Sequence, residues 1–136
     1  MSWDSYLDAH VVSSGLVDQA FLIDLSGRAI WGKSQGVEPS DEDRTKIASA
    51  FQDNSKAFEE GITLNGTRYT ITEIRETPVE EKNISILHAA QKKQGVIAAK
   101  CAQSILVAHY PESVSQRNNS ISFIAMQAAH LMKNNL

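Results

Sequence analysis

Two aromatic side chains near the start of the chain are the residues best suited to bind another molecule. Trp3 and Tyr6 stand three residues apart, so on a helix they lie one above the other on the same face. Each ring carries a polar group at its edge, which suits a surface that is only half covered. Aromatic residues at helical spacing are equally typical of core packing. The pattern taken alone therefore leaves two interpretations open, a core face and an aromatic binding surface.

Patterns typical of catalysis or metal binding do not occur in the sequence. There is no GxGxxG, no phosphate-binding loop, no HExxH and no GxSxG. Cys101 is the single cysteine, so no internal disulfide can form, and no histidine is indicated as its catalytic partner. The four histidines, His10, His88, His109 and His130, lack the spacing of metal ligands. We therefore expect a protein that is not an enzyme and that requires neither a metal nor a cofactor.

Length and charge restrict the class of protein further. The chain has 136 residues, enough for one domain with a buried core, and we expect a single domain over residues 1–136. Its net charge of −3 argues against a general basic surface for nucleic acid. No apolar run approaches the roughly 20 residues that span a bilayer, and there is no signal-peptide pattern. The sequence therefore predicts a cytoplasmic protein that neither spans a membrane nor binds nucleic acid.

Two terminal helices must position the aromatic residues. In the first, Leu7 and Val11 continue an apolar stripe, and Gly15 ends the helix. In the last, residues at helical spacing form a long apolar face, and His130 falls on the opposite side. The apolar positions of that face are Ile121, Ile124, Ala125, Ala128, Leu131 and Met132. Both helices can thus be anchored by aliphatic side chains while other rings stay near the surface.

The middle of the chain reads as short strands joined by tight turns, with one helical region. The predicted strands cover 19–25, 28–33, 62–64, 67–74, 83–88, 96–100 and 104–110. Ser40 caps the middle helix, and Phe58 is expected to anchor one further helical turn. Asn65–Gly66 favours a type I′ hairpin turn. Residues 77–82 are charged and contain Pro78, so we expect a surface loop there.

This order of elements predicts an α+β fold. Short turns between strands require antiparallel pairing, which gives a central antiparallel sheet of about six or seven strands. The N- and C-terminal helices can lie side by side on one face of the sheet, and the shorter helices can cover the other. We therefore expect a single-domain sandwich.

Four segments in register resemble the profilin family, and most closely its fungal and protist members. They are MSWxxY at 1–6, AIW at 29–31, GITLxGxRY at 61–69 and LVAHYPE at 106–112. The resemblance covers the whole chain and implies the same sandwich fold. It also implies an actin-monomer-binding protein that regulates actin polymerisation by sequestering or delivering monomers, with an effect on nucleotide exchange, in the cytoplasm and cytoskeleton.

The resemblance also implies particular sites and partners. Proline-rich segments of formin-like assembly factors would bind between the terminal helices, at Trp3, Tyr6, Trp31 and His130. The residues implied at the actin surface are Arg68, Arg75, His88, Lys100, Arg117 and Asn118. Many members of the family bind phosphoinositides, for which Lys92, Lys93, Lys100 and Arg117 are the candidates. We expect the chain to act as a monomer.

Three positions depart from the family pattern. The chain ends in Leu136 where relatives commonly end in an aromatic residue, which predicts weaker or altered binding of proline-rich peptides. Residues 85–90 lack the basic residue that many members carry there, and 77–82 is acidic where it would border actin. Two alternatives remain: a longin-like or roadblock-like scaffold without actin binding, and a small-molecule sensor or enzyme of similar fold, which would need an apolar pocket with convergent polar groups.

Overall fold

The structure, a computed structural model, describes residues 3–112 and 117–136 and contains one curled antiparallel sheet. Its strands are β1 (Gln19–Asp24), β2 (Ile30–Lys33), β3 (Ile62–Leu64), β4 (Thr67–Val79), β5 (Lys82–Gln91), β6 (Gln94–Lys100) and β7 (Ser104–Tyr110). They are arranged in the order β2-β1-β7-β6-β5-β4-β3. The side chain of Asn65, in the β3–β4 turn, donates to Gln19 Oε1 on β1 at 3.3 Å, although the two strands are far apart in the sheet order. That contact shows how strongly the sheet curls.

Within residues 3–112 and 117–136, four helical regions complete the fold. The N-terminal helix begins as α1 (Trp3–Tyr6), widens into a π-helical turn (Leu7–Val11) and ends in a 3₁₀ turn (Val12–Ser14) before Gly15, whose φ is 78°. The other helices are α2 (Asp41–Ala50), α3 (Asn54–Glu60) and α4 (Arg117–Lys133). As expected, Ser40 caps α2, with its hydroxyl accepting from Asp43 N at 3.1 Å. Phe58 on α3 is 44% exposed, so the expected anchoring role is wrong, and the neighbouring Ala57 is buried instead.

The sheet has a buried core on each face, as the predicted sandwich requires. Leu7 and Val11 of the N-terminal helix share one core with the apolar face of α4. Ile47, Ala48 and Ala57 of α2 and α3 belong to the core on the opposite face. The terminal helices thus lie on one face and the shorter helices on the other.

The outer hairpin β4–β5 is longer than the sequence predicts. Strand β4 continues through Pro78 to Val79, and only Glu80 and Glu81 form the turn, with Glu80 at a φ of 56°. The predicted surface loop at 77–82 is therefore wrong. Proline is tolerated here because β3 pairs with β4 only at Thr67–Tyr69, so the part of β4 around Pro78 is an edge strand that pairs with β5 on one side.

A buried polar chain crosses the outer strands. His88 is 3% exposed, with its Nδ1 2.5 Å from Thr72 Oγ1 and its Nε2 2.7 Å from the Tyr110 hydroxyl. The Tyr110 ring stacks on the imidazole with an interplanar angle of 6°. The same ring covers Gly95, where a Cβ would lie 2.4 Å from the tyrosine oxygen. His88 is therefore part of the interior, whereas the resemblance implied a surface position.

Candidate functional site

Strand β2 holds the N-terminal helix at very close range. Gly32 faces the start of the helix, and a Cβ at that position would lie 2.4 Å from Trp3 Cβ and 2.9 Å from the Trp3 carbonyl carbon. Asp4 Oδ1 accepts the backbone N–H of Lys33 at 2.9 Å. Asp8 Oδ1 accepts that of Gln35 at 3.3 Å. The two carboxylates thus satisfy donors along this edge of the sheet, which otherwise would be open to pairing with another chain.

The helix buries one stripe and leaves its rings near the surface. Leu7 and Val11 have no exposed surface, whereas Trp3 and Tyr6 are half-buried and His10 is exposed. The Val12 N–H donates to the carbonyls of both Asp8 and Leu7. The bond to Leu7 spans five residues, as in a π-helix, and so widens the turn. Single π-helical turns of this kind are frequent at functional sites. The aliphatic anchors therefore do the packing, and the aromatic side chains are free for another role.

Three rings from two elements form a continuous ladder at this edge. The Trp31 and Trp3 ring centroids are 6.0 Å apart with an interplanar angle of 36°. Trp3 and Tyr6 follow at 5.7 Å in an edge-to-face arrangement. Both separations are in the range for favourable aromatic pairs. Trp31 comes from β2, 28 positions along the sequence from Trp3, so the fold has brought the predicted aromatic residues together.

Helix α4 forms the other wall of the site. The Tyr6 hydroxyl donates to Gln127 Oε1 at 2.7 Å, and Ser120 Oγ donates to the Leu16 carbonyl at 2.8 Å. Burial raises the pKa of the Tyr6 phenol, with a smaller contribution from Cys101, so the hydroxyl stays protonated and can donate. These bonds hold the two terminal helices side by side.

A groove of about 690 Å³ opens where the two helices meet. Its lining residues are Tyr6, His10, Val79, Glu80, Met126, Gln127, Ala129, His130 and Lys133. His130 is exposed and shares this groove with Tyr6. A Glu80–Lys133 ion pair lies among the lining residues. The four residues implied for proline binding thus occupy one connected surface, in which Tyr6 belongs to both the ring ladder and the groove.

The chain end is held close to this region. A carbonyl oxygen of Leu136 accepts from Ser104 Oγ at 3.1 Å and also from the backbone N–H of Gln103. Its half-buried side chain packs against the same core as Trp3, Tyr6 and Trp31. Weaker or altered binding of proline-rich peptides, which the resemblance implied for Leu136, stays a prediction.

Three of the residues implied for actin binding are brought together on the outer strands. Arg75 Nε lies 3.3 Å from Glu73 Oε2. Glu73, His88 and Asn118 line one pocket of about 290 Å³. Arg75 and Asn118 are exposed, whereas His88 forms the buried floor. Glu73 therefore links the three residues into one patch at the beginning of α4.

The other three residues implied for actin binding are not seen to join this patch in the described part of the chain. Arg68 donates from Nε to the Glu60 carbonyl at 2.9 Å, so its side chain is used at the end of α3. Lys100 on β6 pairs with Ser85 on β5. Because side chains alternate along a strand, Lys100 is on the same face of the sheet as Val96 and Ala98, which belong to the core under α2 and α3. The side chain of Arg117, the first residue of α4, lies outside the described part of the chain. Of the implied residues whose side chains are described, Arg75, His88 and Asn118 are thus clustered, whereas Arg68 and Lys100 are held elsewhere.

The lysines considered for phosphoinositides do not form one patch. Lys92 and Lys93 are exposed in the β5–β6 turn, whereas Lys100 is at the other end of β6. A strand of seven residues separates the two positions by about 20 Å at 3.3–3.4 Å per residue. Within residues 3–112 and 117–136 there is also no cluster of three or more potential metal ligands. Over the same residues, no helix has the length and apolar character needed to cross a bilayer.

The fold and site define a small α+β protein with an aromatic surface between its terminal helices, and comparisons with known proteins identify the family. The profilin family model matches residues 1–136. The chain is 34% identical to profilin of Schizosaccharomyces pombe over 113 residues, 83% of each chain. It is 31% identical to profilin-3 of Dictyostelium discoideum over 110 residues, 81% of this chain and 80% of the relative. The chain therefore belongs to the profilin family, whose members are non-enzymatic actin-binding proteins.

Solved structures support the same assignment. A crystal structure of the S. pombe profilin superposes with a TM-score of 0.85 at 25% identity, covering 99% of this chain and all of the other. Acanthamoeba castellanii profilin II gives 0.83 at 27% identity with the same coverage. Mouse profilin IIa, solved in complex with a double repeat from the FH1 domain of mDia1, gives 0.69 at 13% identity, covers both chains fully and supports the fold alone. Membership in this family excludes the longin-like or roadblock-like alternative.

Sequence reasoning missed two residues of the site. Gln127 fixes the Tyr6 hydroxyl, and the only sequence signal was its place on the exposed side of α4. Gly32 permits the close approach of Trp3, and a glycine inside a predicted strand is a recognised sign of such an approach.

Proposed function

We propose that this protein binds actin monomers and regulates their polymerisation in the cytoplasm, and that it binds proline-rich segments of assembly factors at the ring ladder. The observation that carries the proline half is the half-exposed Trp31–Trp3–Tyr6 ladder continuing into the groove with His130. A structural relative, mouse profilin IIa, was solved with an FH1 repeat. Family membership carries the actin half.

The chemistry of the ladder suits a polyproline II helix. Such a helix is already extended and has no internal hydrogen bonds, so it loses little entropy on binding. Indole faces stack on pyrrolidine rings, and indole N–H groups donate to carbonyls that have no competing neighbouring N–H. We expect decaproline to bind with a Kd of about 10 μM to 1 mM by isothermal titration calorimetry. Absence of binding at millimolar peptide contradicts the proline half.

The Tyr6 hydroxyl joins the two terminal helices, whereas the Tyr6 ring is part of the proposed binding surface. Because the hydroxyl donates to Gln127, Tyr6→Phe removes a bond between helices but keeps the ring in the ladder. We expect the free energy of unfolding to fall by about 1 kcal/mol and the Kd for decaproline to change less than about twofold. Tyr6→Ala, which removes the ring as well, is expected to weaken binding at least about tenfold. A large loss of affinity in Tyr6→Phe would show that the peptide takes the hydroxyl bond from Gln127.

On the actin side, the patch around Glu73 is the surface we propose for contact. Arg75 and Asn118 are its exposed members, and a cation there would steer encounter with an acidic partner. His88 supports this patch from below through its bonds to Thr72 and Tyr110. Arg68 and Lys100 are not included, because their positions do not adjoin this patch.

Arg75→Ala tests the actin surface. Its ion pair with Glu73 has side chains 47% and 40% exposed, so its loss costs at most about 1 kcal/mol of stability. We expect a weakening of actin-monomer binding by about tenfold, measured by the inhibition of spontaneous pyrene-actin assembly. Lys46→Ala is the matched control, since Lys46 is also a surface cation in an ion pair but lies on α2. Equal activity of the two variants contradicts this placement, and no effect of the unmutated protein on assembly at tens of micromolar contradicts the actin half altogether.

Phosphoinositide binding has less support than the other two activities. The candidate lysines are separated along β6, and the net charge is −3. A juxtaposed cluster of several basic residues is what such lipids require. The proposed function therefore rests on actin and proline-rich partners.

A further inference from the structure

The ring ladder does not stop at Tyr6. The His10 imidazole lies 5.5 Å from the Tyr6 ring, centroid to centroid, with an interplanar angle of 37°. His10 is exposed, and it lines the groove together with Tyr6 and His130. A fourth planar ring therefore extends the surface on which Trp31, Trp3 and Tyr6 stand.

The spacing of these rings matches an extended proline chain. Successive centroids along Trp31, Trp3, Tyr6 and His10 are separated by 6.0, 5.7 and 5.5 Å. A polyproline II helix rises about 3.1 Å per residue, so each step corresponds to about two residues. Three steps thus span about six residues. Without His10, the ladder would offer two steps and about four residues.

We propose that His10 is a fourth recognition ring of the ladder, which extends the proline-binding surface of this protein by about two residues beyond Tyr6. The inference rests on the proposed binding of proline-rich peptides. An imidazole resembles indole and phenol in presenting a flat face for stacking and, on a ring nitrogen, a hydrogen-bonding group. His10 therefore supplies both contacts that the first three rings supply.

The groove gives the peptide room to continue past His10. Met126, which is 61% exposed, and Val79 offer apolar surface there, beside the Glu80–Lys133 ion pair. The volume of about 690 Å³ is within the range of ligand-binding clefts. The occupant that fits this surface is thus the far end of the same proline-rich segment, which enters over Trp31 and passes Tyr6.

A peptide-length series tests the proposal. Decaproline and pentaproline are titrated into the protein and into His10→Ala, with binding followed by NMR chemical shifts so that millimolar Kd values are measurable. We expect His10→Ala to raise the Kd for decaproline about threefold to tenfold and that for pentaproline less than twofold. His10→Phe retains a stacking ring, so we expect it to keep the Kd for decaproline within twofold. An unchanged Kd for decaproline in His10→Ala overturns the proposal, as does an equal loss for both peptides.

A second measurement uses the unmutated protein. The imidazole C–H signals of His10 and His130 are expected to shift as decaproline is added. Those of His88, which is buried, and His109, whose Nδ1 is held 2.6 Å from Asp18, are expected to stay in place and act as internal controls. Decaproline binding with a stationary His10 signal overturns the fourth ring but leaves the proposed function intact. Absence of any binding overturns the proposed binding of proline-rich segments itself.

Discussion

Trp3→Ala is expected to abolish the binding of proline-rich peptides while the protein stays folded. Trp3 stands at the centre of the ladder, with Trp31 on one side and Tyr6 on the other. Its removal leaves two isolated rings, and loss of a central tryptophan typically costs 2 kcal/mol or more of binding free energy. We expect the Kd for decaproline to rise at least about thirtyfold in a calorimetric titration.

The fold is expected to survive this change because other residues anchor the helix. Leu7 and Val11 are fully buried, and Asp4 and Asp8 remain bonded to the backbone N–H groups of Lys33 and Gln35. Phe58→Ala is the matched control, since Phe58 is an aromatic residue 44% exposed on α3, away from the site. That variant should bind decaproline as the unmutated protein does. Retained affinity in Trp3→Ala contradicts the ladder as the binding surface.

Gly32→Ala is expected to damage both the site and the stability of the protein. The new methyl group would overlap Trp3 Cβ at 2.4 Å and also approach the Trp3 backbone, which cannot rotate away. The start of the helix must then move off β2, which weakens the Asp4–Lys33 bond and separates Trp3 from Trp31. Overpacking of this kind costs about 1–3 kcal/mol of unfolding free energy. We expect the Kd for decaproline to rise about tenfold in the same variant.

Gly95→Ala is the control that distinguishes damage to the binding site from a general loss of stability. A Cβ at Gly95 would lie 2.4 Å from the Tyr110 hydroxyl oxygen, so the steric overlap is as severe as at Gly32 but lies between β6 and β7 in the middle of the sheet. We expect a similar loss of unfolding free energy by chemical denaturation, about 1–3 kcal/mol. The affinity of the folded protein for decaproline should not change. Equal loss of affinity in both variants would show that Gly32 acts through general stability.

Local patterns in the sequence predict most of the fold. The Asn65–Gly66 turn, the Ser40 cap and the apolar face of α4 each depend on neighbouring residues, and each is present in the structure. The long arm of β4 was missed because Pro78 and the charges around it indicate a loop, whereas the pairing with β5 continues through Pro78–Asn83 to Val79–Lys82. Phe58 was expected to anchor a helical turn, but on α3 it is Ala57 that is buried, while Phe58 is exposed.

The site was predictable only in its types of residue. Family resemblance indicated Trp3, Tyr6 and Trp31, but their centroid distances depend on the approach of the helix over Gly32. The resemblance implied that His88 lies at the actin surface, whereas hydrogen bonds to Thr72 and Tyr110 satisfy it inside. Such partnerships join strands that are distant in sequence, so no local pattern reveals them.

The indole N–H signals provide the most direct test of the central claim. The chain contains only two tryptophans, so a ¹⁵N-labelled sample shows one indole signal for Trp3 and one for Trp31. Titration with decaproline is expected to shift both signals along one saturable curve with a common Kd. Saturable binding that leaves both indole signals in place, or no binding at millimolar peptide, would contradict a proline-binding surface built on these two rings.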